Sequence, residues 1–274
     1  MRTQEQIREH YLIERELADR LRRAEKAERR KLYGPLYDEL YRRVPHHPQL
    51  LRKADGALRA EAAANQLRLL SPFLGPGMDF LEIGAGDLSL SLEASRRVGR
   101  VFATDVSSRM TRDAKASPNF RLLAADALGI PLPDKSVDLA YSSHLLEHLH
   151  PDDAPDHLRE VARVLRAGGR YLCVTPHAVY GPHDVSRHFD KCPTGFHLRE
   201  YTVREIGSLF RKSGFGRLRL IYNTRKRFLL VPAQAGILLE SAIRLLPAGL
   251  GGPILSGPRV QCLLGIKIIA CKSG

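Results

Sequence analysis

Two glycines that follow an apolar run are the first residues of this sequence whose arrangement suits chemistry. The run from Phe80 to Ile83 has the character of a buried parallel strand, and Gly84 and Gly86 follow it directly. Glycine tolerates positive φ and has no Cβ, so a ligand can lie against the main chain at such a turn. A second apolar run ends at Asp105, about twenty residues further on, where nucleotide-binding folds place an acceptor for a ribose hydroxyl. The spacing predicts a cofactor site of nucleotide type.

Two other kinds of glycine turn are disfavoured by the residues that follow. A phosphate-binding P-loop requires a Gly-Lys-Ser/Thr ending, which this turn lacks. The Gly-x-Gly-x-x-Gly pattern of nicotinamide enzymes is a closer match, but Ser89 stands where its third glycine would be.

Three later segments continue the pattern in order. They are Ala124 to Ala127, Ile130 to Ser143, and Glu160 to Leu172. Together with the glycine turn they resemble the class I S-adenosylmethionine-dependent methyltransferases, in the methyltransferase domain 11-like branch near the ubiquinone/menaquinone type. The resemblance covers roughly residues 75 to 175. The chain departs from the family pattern at Leu88, where a small residue is common.

The resemblance implies S-adenosyl-L-methionine as the cofactor. Glu82 and the backbone from Gly84 to Gly86 would hold its methionine end, Asp105 would accept from both ribose hydroxyls, and Asp126 with the Ala127 amide would read the adenine. Helix capping is the alternative role for both aspartates. The complete predicted cofactor set is Glu82, Gly84, Ala85, Gly86, Asp105, Val106, Asp126, Ala127 and Ser142.

Histidines supply the candidate acid–base groups. His144 and His148 follow the fourth predicted strand and would share one face if this segment is helical. A polar loop after the fifth strand contains His183 beside Asp184 and, further on, His188 and Asp190. Either loop pair could form a general base with its orienting carboxylate, and a hydrogen-bonded structural loop is the alternative. We predict His183, His144, His148 and Asp184 as the catalytic candidates.

No metal site is predicted. His177, His183, Asp184 and His188 could ligate an ion, but their spacing matches no standard site.

The elements that position these residues alternate between strand and helix. Predicted strands cover residues 78–83, 100–105, 119–124, 137–142 and 170–175, and predicted helices cover 87–97, 107–116 and 152–166. This alternation indicates a parallel sheet with helices on both faces. A helix over 202–212, with Thr202 and Glu205 as its capping box, and two final strands near 216–223 and 260–271 follow. The expected fold class is α/β, with a Rossmann-like, seven-stranded, mostly parallel sheet.

Both ends of this core carry predicted additions. Residues 1–70 are predicted as an N-terminal helical extension, in which Gly34-Pro35 separates a charged amphipathic helix from a tyrosine-rich one. Residues 71–274 are predicted as the methyltransferase domain. A helical insertion at 225–258 begins with a basic triplet at 225–227 and precedes the last strand.

Charge and composition limit the partners. The 274 residues carry a net charge of +13, which suits an anionic membrane surface or nucleic acid, although a solvated basic surface is the alternative. Nucleic acid is disfavoured because the Asn/Asp-Pro-Pro-Tyr/Phe motif for a flipped base is missing. A small-molecule acceptor is the expected partner, and a second copy of the chain is another candidate. The charged N-terminus has no secretory signal and no run is long enough to span a bilayer, so a cytoplasmic protein is expected.

These patterns predict an S-adenosylmethionine-dependent methyltransferase that acts on a small molecule. The histidines favour oxygen over carbon or nitrogen as the methylated atom. Three alternatives stay open: a hydrophobic or lipid-like acceptor at a membrane surface, an RNA methyltransferase, and a cofactor-binding assembly module without catalysis.

Overall fold

A mixed eight-stranded sheet forms the centre of the protein. The computed structural model describes residues 2–107, 117–223, 228–244 and 265–273. The strands are β1 (Asp79–Ile83), β2 (Arg100–Asp105), β3 (Phe120–Ala124), β4 (Val137–Ser143), β5 (Leu165–Thr175), β6 (Phe215–Asn223), β7 (Phe228–Pro232) and β8 (Ile266–Lys272). Their order is β3-β2-β1-β4-β5-β8-β6-β7. The first five strands are parallel, whereas β8 is antiparallel to both β5 and β6.

The described helices flank the sheet on both faces. They are α1 (Gln4–Arg23), α2 (Lys26–Arg43), α3 (Pro48–Ala54), α4 (Gly56–Leu70), α5 (Ser89–Ala94), α6 (Ala154–Val164), α7 (Val203–Lys212) and α8 (Ala233–Arg244). On one face, α1, α2, α6 and α7 bury Leu17, Leu36, Leu158 and Phe210 in a single hydrophobic cluster. The other face is covered by α4 and α5. The helices of the N-terminal region therefore share the hydrophobic core of the sheet.

The strand order reverses between β1 and β4. From β1 the chain winds outward through β2 to β3, and it then returns to place β4 on the other side of β1. In open α/β sheets such a reversal leaves a crevice beyond the carboxyl ends of the two strands. Gly84 and His144 follow those two strand ends, so the fold brings the glycine turn and the first histidine together.

The α/β class and the mostly parallel sheet are confirmed, but the sheet has one more strand than predicted. The additional strand is β7, which pairs antiparallel with β6 at the edge of the sheet. It lies in the segment predicted as a helical insertion, and only α8 in that segment is helical among the described residues. Five apolar or proline residues, Phe228 to Pro232, suit an edge strand because one side of that strand needs no pairing partner.

The N-terminal helices also divide at a different place. The break falls between Arg23 and Lys26, and Gly34-Pro35 lies inside α2. Tertiary contacts favour this arrangement, since Arg29 and Tyr33 of α2 both bind the buried carboxylate of Asp153. The predicted capping box of Thr202 and Glu205 at the start of α7 is confirmed.

Some predictions fall outside the described residues. They include most of the helix predicted at 107–116, the basic triplet at 225–227, and the end of the insertion. No described helix has the length and apolar character needed to cross a bilayer.

Candidate functional site

A cavity of about 220 Å³ opens beyond the carboxyl ends of β1, β2 and β4. We call the lining residues at these strand ends the floor; they are Glu82–Asp87, Thr104–Ser107, Ser143–Leu145, His148 and Leu149. The helices on the opposite side of the cavity contribute a second set of lining residues, which we call the roof. It consists of Tyr33, Tyr37 and Tyr41 of α2 and of Arg59, Ala62, Ala63 and Gln66 of α4. In each helix these residues recur at three- or four-residue spacing, so they share one face of the helix.

The glycine turn of the floor requires its glycines for backbone conformation. Gly84 and Gly86 have φ values of 73° and 56°, and Leu88 shares this left-handed region at 64°. The amides of Gly84 and Ala85 both donate to the carbonyl of Thr104, at 2.8 and 3.0 Å, which ties the turn to β2. Leu88, where the family pattern favours a small residue, is completely buried. Burial of its side chain offsets the strain of its positive φ.

Glu82 at the end of β1 is a buried carboxyl group with one side-chain donor. The hydroxyl of Ser91 donates to its Oε2 at 2.5 Å. Burial raises the pKa of Glu82 to about 8, because a charged carboxylate is poorly solvated there. Glu82 is therefore largely protonated near neutral pH and can ionise when a cationic group approaches it.

Asp105 at the end of β2 is held by two backbone amides. Gly86 donates to its Oδ2 and Ser107 donates to its Oδ1, both at 2.8 Å. Burial raises the pKa of Asp105, and these two hydrogen bonds oppose that effect. Each carboxylate oxygen has a second lone pair, so Asp105 can also accept from the hydroxyls of a ligand. Val106 lines the same part of the cavity.

Of the two residues predicted to contact the adenine, Asp126 and Ala127, only one lines the cavity. Ala127 lines the cavity, whereas Asp126 does not appear among the lining residues that the structure describes. The carboxylate of Asp126 binds the Arg30 Nε at 2.9 Å and accepts from the Leu128 amide at 2.9 Å. The second contact is a local turn and not the helix cap that was the alternative role for this aspartate, because no described helix begins there.

Ser142 is displaced from the cavity by the alternation of side chains along β4. It is completely buried and shares a 2.6 Å hydrogen bond with the Tyr171 hydroxyl. The next residue, Ser143, lines the cavity instead. Successive strand residues point to opposite faces, so a shift of one position decides which side chain reaches a ligand.

His144 and His148 both line the floor, although they do not share a helix face. His144 precedes the short 3₁₀ helix Leu146–His148 and has a φ of 53°. Its Nδ1 lies 2.9 Å from Glu147 Oε1, and its side chain is 59% exposed. Because the carboxylate accepts a proton from Nδ1, the lone pair of a neutral His144 is at Nε2. This is the arrangement of a general base with an orienting carboxylate.

The structure does not bring His183 and Asp184 to the cavity. His183 bonds through Nε2 with the carbonyl of His177 at 3.1 Å, and its amide donates to Glu200. Asp184 is buried and accepts from the amides of Ser186 and Gly195, both at 3.0 Å. The hydrogen bonds of these side chains are made within the loop, which agrees with the alternative of a hydrogen-bonded structural loop. The members of the second pair have other partners: His188 Nε2 accepts from Arg187 Nε at 3.3 Å, and Asp190 accepts from the Tyr11 hydroxyl in α1.

Two roof atoms lack hydrogen-bond partners, and sequence analysis did not predict either. Of the buried side-chain atoms without a partner in the described part of the chain, Tyr37 Oη and Arg59 Nε belong to residues that line the cavity. The neighbouring tyrosines do have partners: Tyr33 donates to Asp153, and Tyr41 donates to Gln49. The recurrence of tyrosine at positions 33, 37 and 41 was the available signal.

Comparison with known proteins agrees with this geometry. Residues 81–173 match the methyltransferase domain family. The chain is 31% identical over 143 residues to a "Probable S-adenosylmethionine-dependent methyltransferase" of Mycolicibacterium smegmatis, covering 51% of this chain and 52% of that protein. It is 34% identical over 116 residues to a ubiquinone/menaquinone biosynthesis C-methyltransferase of Laribacter hongkongensis, covering 39% and 46%. The chain thus spans about half the length of these curated relatives.

Among solved structures, the YcgJ protein of Bacillus subtilis superimposes with a TM-score of 0.52 at 20% identity, covering 78% of this chain and 99% of that one. This likeness shows the fold. The family match and the named relatives agree with the family that the ordered sequence motifs resemble. Residues 81–173 of the chain carry a methyltransferase domain of this S-adenosylmethionine-dependent type.

Proposed function

We propose that this chain methylates an oxygen atom of a small molecule, with S-adenosylmethionine along the floor and the acceptor beneath the tyrosines of α2. The observation that carries the proposal is the pair of His144 and Glu147 that follows β4. His144 lines the same cavity as the glycine turn and Asp105, and the buried carboxylate of Glu147 binds its Nδ1. An oxygen acceptor must lose a proton during transfer, and a histidine with a fixed tautomer can take it.

The residues of the cavity fit the cofactor. A Cβ added at Gly86 would meet no atom within 4 Å, so the main chain is open to a ligand there. Asp105 has free lone pairs for ribose hydroxyls, and Glu82 lies beside the glycine turn for the amino group of the methionine end. The unpartnered Nε of Arg59 suits the cofactor's carboxylate, since arginine donates hydrogen bonds to carboxylates in pairs. We place Ala127 at the adenine and leave Asp126 to its contact with Arg30.

The chain's own residues would then handle the acceptor proton. Bound S-adenosylmethionine supplies an electrophilic methyl group, and transfer to a hydroxyl oxygen forms a C–O bond, breaks the sulfonium C–S bond and releases one proton. His144 Nε2 accepts that proton while Glu147 stabilises the resulting imidazolium. The roof excludes water and aligns the acceptor, which lowers the entropic cost of the displacement.

We also infer that residues 1–70 act as a helical extension that closes the cavity of the methyltransferase domain at 71–274. All residues of the roof, including its three tyrosines and Arg59, belong to this extension. Arg29 and Arg30 of α2 fasten it to the domain through Asp153 and Asp126.

The test compares two histidine variants. With methyl-labelled S-adenosylmethionine and a small-molecule extract as acceptor source, His144→Gln should lower transfer by about 10² to 10⁴. Its affinity for the cofactor, measured by calorimetry, should be unchanged. His183→Gln is the matched control and should retain transfer, because His183 does not line the cavity in the described structure. Loss of transfer in His183→Gln alone would move the base to the loop and refute the assignment of His144.

A lipid-like acceptor at a membrane surface is the second candidate. The observation that favours it is a set of exposed apolar side chains on β7 and α8, where Leu229, Leu238 and Leu239 are 57%, 72% and 45% exposed. Cosedimentation with phosphatidylserine vesicles at low salt, together with label in the lipid fraction, would favour this acceptor class over a water-soluble one.

A further inference from the structure

A second group of ionisable side chains adjoins the floor. Glu147, His148 and His197 offer ligand atoms that all lie within 4.8 Å of one another. Glu147 and His148 follow β4, whereas His197 comes from the loop between β5 and α7. The two histidine rings meet edge to face, with centroids 4.9 Å apart. Tertiary structure alone assembles this group, so no sequence spacing reveals it.

The hydrogen bonds of the two histidines fix where their protons lie. His148 Nδ1 is 3.0 Å from the carbonyl oxygen of Phe196, and His197 Nδ1 is 2.7 Å from Glu200 Oε1. Both partners can only accept, so each Nδ1 donates and each neutral ring has its lone pair at Nε2. Histidines that bind metals generally donate their other N–H to a carbonyl or carboxylate in this way.

The carboxylates around this group have no cationic side chain of fixed charge beside them. In the described part of the chain, Glu147, Glu200 and Asp184 are buried, and none forms an ion pair with lysine or arginine. Glu147 instead contacts His144 and accepts from the Thr175 hydroxyl at 2.9 Å. A buried cluster of carboxylates requires compensating positive charge, which protonated imidazoles or a metal ion can supply.

A second triad in the same protein shows the opposite arrangement. His10, Glu14 and His47 also lie within 4.8 Å of one another. Arg2 donates to His10 Nδ1 at 2.8 Å, which leaves His10 Nε2 to donate to Glu14 at 2.6 Å. The Gln49 amide donates to His47 Nδ1, so the proton of that ring is at Nε2. Neither histidine has a free lone pair, and the Arg2 cation opposes a metal ion.

From these contacts we propose that Glu147, His148 and His197 bind a divalent transition metal such as Zn²⁺. Two imidazoles and one carboxylate form a ligand set that catalytic zinc sites use while keeping a position open. His148 lines the cavity, so the proposed metal site borders the space that the acceptor would occupy. In a step that rests on the proposed function, the metal would bind an acceptor oxygen and favour its deprotonation.

Cobalt(II) is the probe for this site, because its visible absorption reports its ligands. The full-length protein, first treated with a chelator, should bind one equivalent of Co²⁺ and develop a ligand-field band that Zn²⁺ abolishes. His197→Gln should lower the affinity for Co²⁺ by at least about tenfold, since loss of a mere supporting partner already costs that much. His148→Gln serves as a second variant if His197→Gln fails to fold, and thermal unfolding checks both. His10→Gln is the matched control from the other triad and should bind Co²⁺ normally.

The metal site would be overturned if the wild type fails to bind Co²⁺ stoichiometrically, or if the wild type, His148→Gln and His197→Gln bind it equally. Loss of binding in His10→Gln alone would place the ion in the N-terminal triad and also refute the proposal. Cofactor affinity is measured separately on the metal-free protein. A failure to bind S-adenosylmethionine would therefore contradict the proposed function but would not change the conclusion about Co²⁺ binding.

Discussion

The floor and the roof of the cavity differ in how their polar atoms are satisfied. On the floor, the carboxyl groups have partners without a ligand: Glu82 accepts from Ser91, and Asp105 accepts from Gly86 and Ser107. On the roof, Tyr37 Oη and Arg59 Nε are buried without a partner. The floor is thus organised in advance by its own hydrogen bonds, whereas two donors of the roof have no acceptor in the described part of the chain.

The difference indicates what a ligand must bring to each side. A buried donor without a partner costs about 1 to 3 kcal/mol, so two such atoms in one cavity are a substantial cost unless a ligand pairs with them. Arginine only donates and a tyrosine hydroxyl donates readily, which points to acceptor oxygens on the ligand's roof side. The floor instead offers acceptors, which suit hydroxyl and ammonium groups. A ligand with hydroxyls, an ammonium group and a carboxylate matches both sides.

The largest expected effect concerns Glu82, the buried carboxyl group of the floor at the end of β1. Its pKa of about 8 in the folded protein lies above the ordinary 4.5, so the folded state binds the proton more tightly than the unfolded state. The wild type should therefore lose stability as the pH rises from about 4.5 to about 8. Glu82→Gln removes this titration. The free energy of unfolding of the variant relative to wild type should rise across that window by up to about 4 kcal/mol.

Urea unfolding at several pH values measures this effect. Glu93→Gln on α5 is the matched control and should show no such pH-dependent gain, because Glu93 is at the surface and pairs with Arg96. Parallel stability curves for wild type and Glu82→Gln would mean that Glu82 is ionised in the folded protein at neutral pH.

The next effect tests the floor as a cofactor site. Asp105→Ala removes a charged acceptor from the ribose hydroxyls, which should weaken S-adenosylmethionine binding by about 1.5 to 3 kcal/mol. Calorimetry with the cofactor and with its demethylated product measures the change. Asp152→Ala, which alters an exposed aspartate outside the cavity lining, is the control. Equal affinity in wild type and Asp105→Ala would exclude this aspartate from the site.

The smallest effect tests the roof. Arg59→Gln should weaken binding of S-adenosylhomocysteine by about 1 to 2 kcal/mol, because it removes a charged donor to the carboxylate. Binding of methylthioadenosine, which has no carboxylate, should be unaffected. Arg52→Gln is the control, since Arg52 also lines the cavity but is exposed. If Arg59→Gln weakens the binding of both ligands equally, Arg59 maintains the structure of the roof and does not bind the carboxylate.

The floor could be predicted from sequence because each of its parts is local. The strand, the glycines and the acid at the end of the next strand lie within short segments, and positive φ at Gly84 and Gly86 is a property of the turn itself. The sequence pattern does not distinguish which of two adjacent residues at a strand end reaches the cavity. Ser142 and Ser143 are equivalent in the sequence pattern, and only the register of β4 on β5 determines that Ser142 packs against Tyr171.

The histidines show where local reasoning ended. His183 beside Asp184 has the composition of a catalytic pair, yet the loop uses both residues for its own hydrogen bonds. His148 and His197 are forty-nine positions apart by their numbers, and the fold brings their rings into contact. Whether a histidine has a free lone pair depends on its partner at the other nitrogen, and that partner is supplied by distant segments.

The sequence by itself determined the alternation of strand and helix, the glycine turn and the acid at the end of β2, because these follow from residue type and short-range periodicity. Tertiary structure decided that α2 and α4 cover the cavity, that Arg30 pairs with Asp126, and that Glu147 accepts from Thr175. Such contacts depend on the packing of segments far apart in the chain. Their energy comes from burial and complementary charge, which no single segment of the sequence contains.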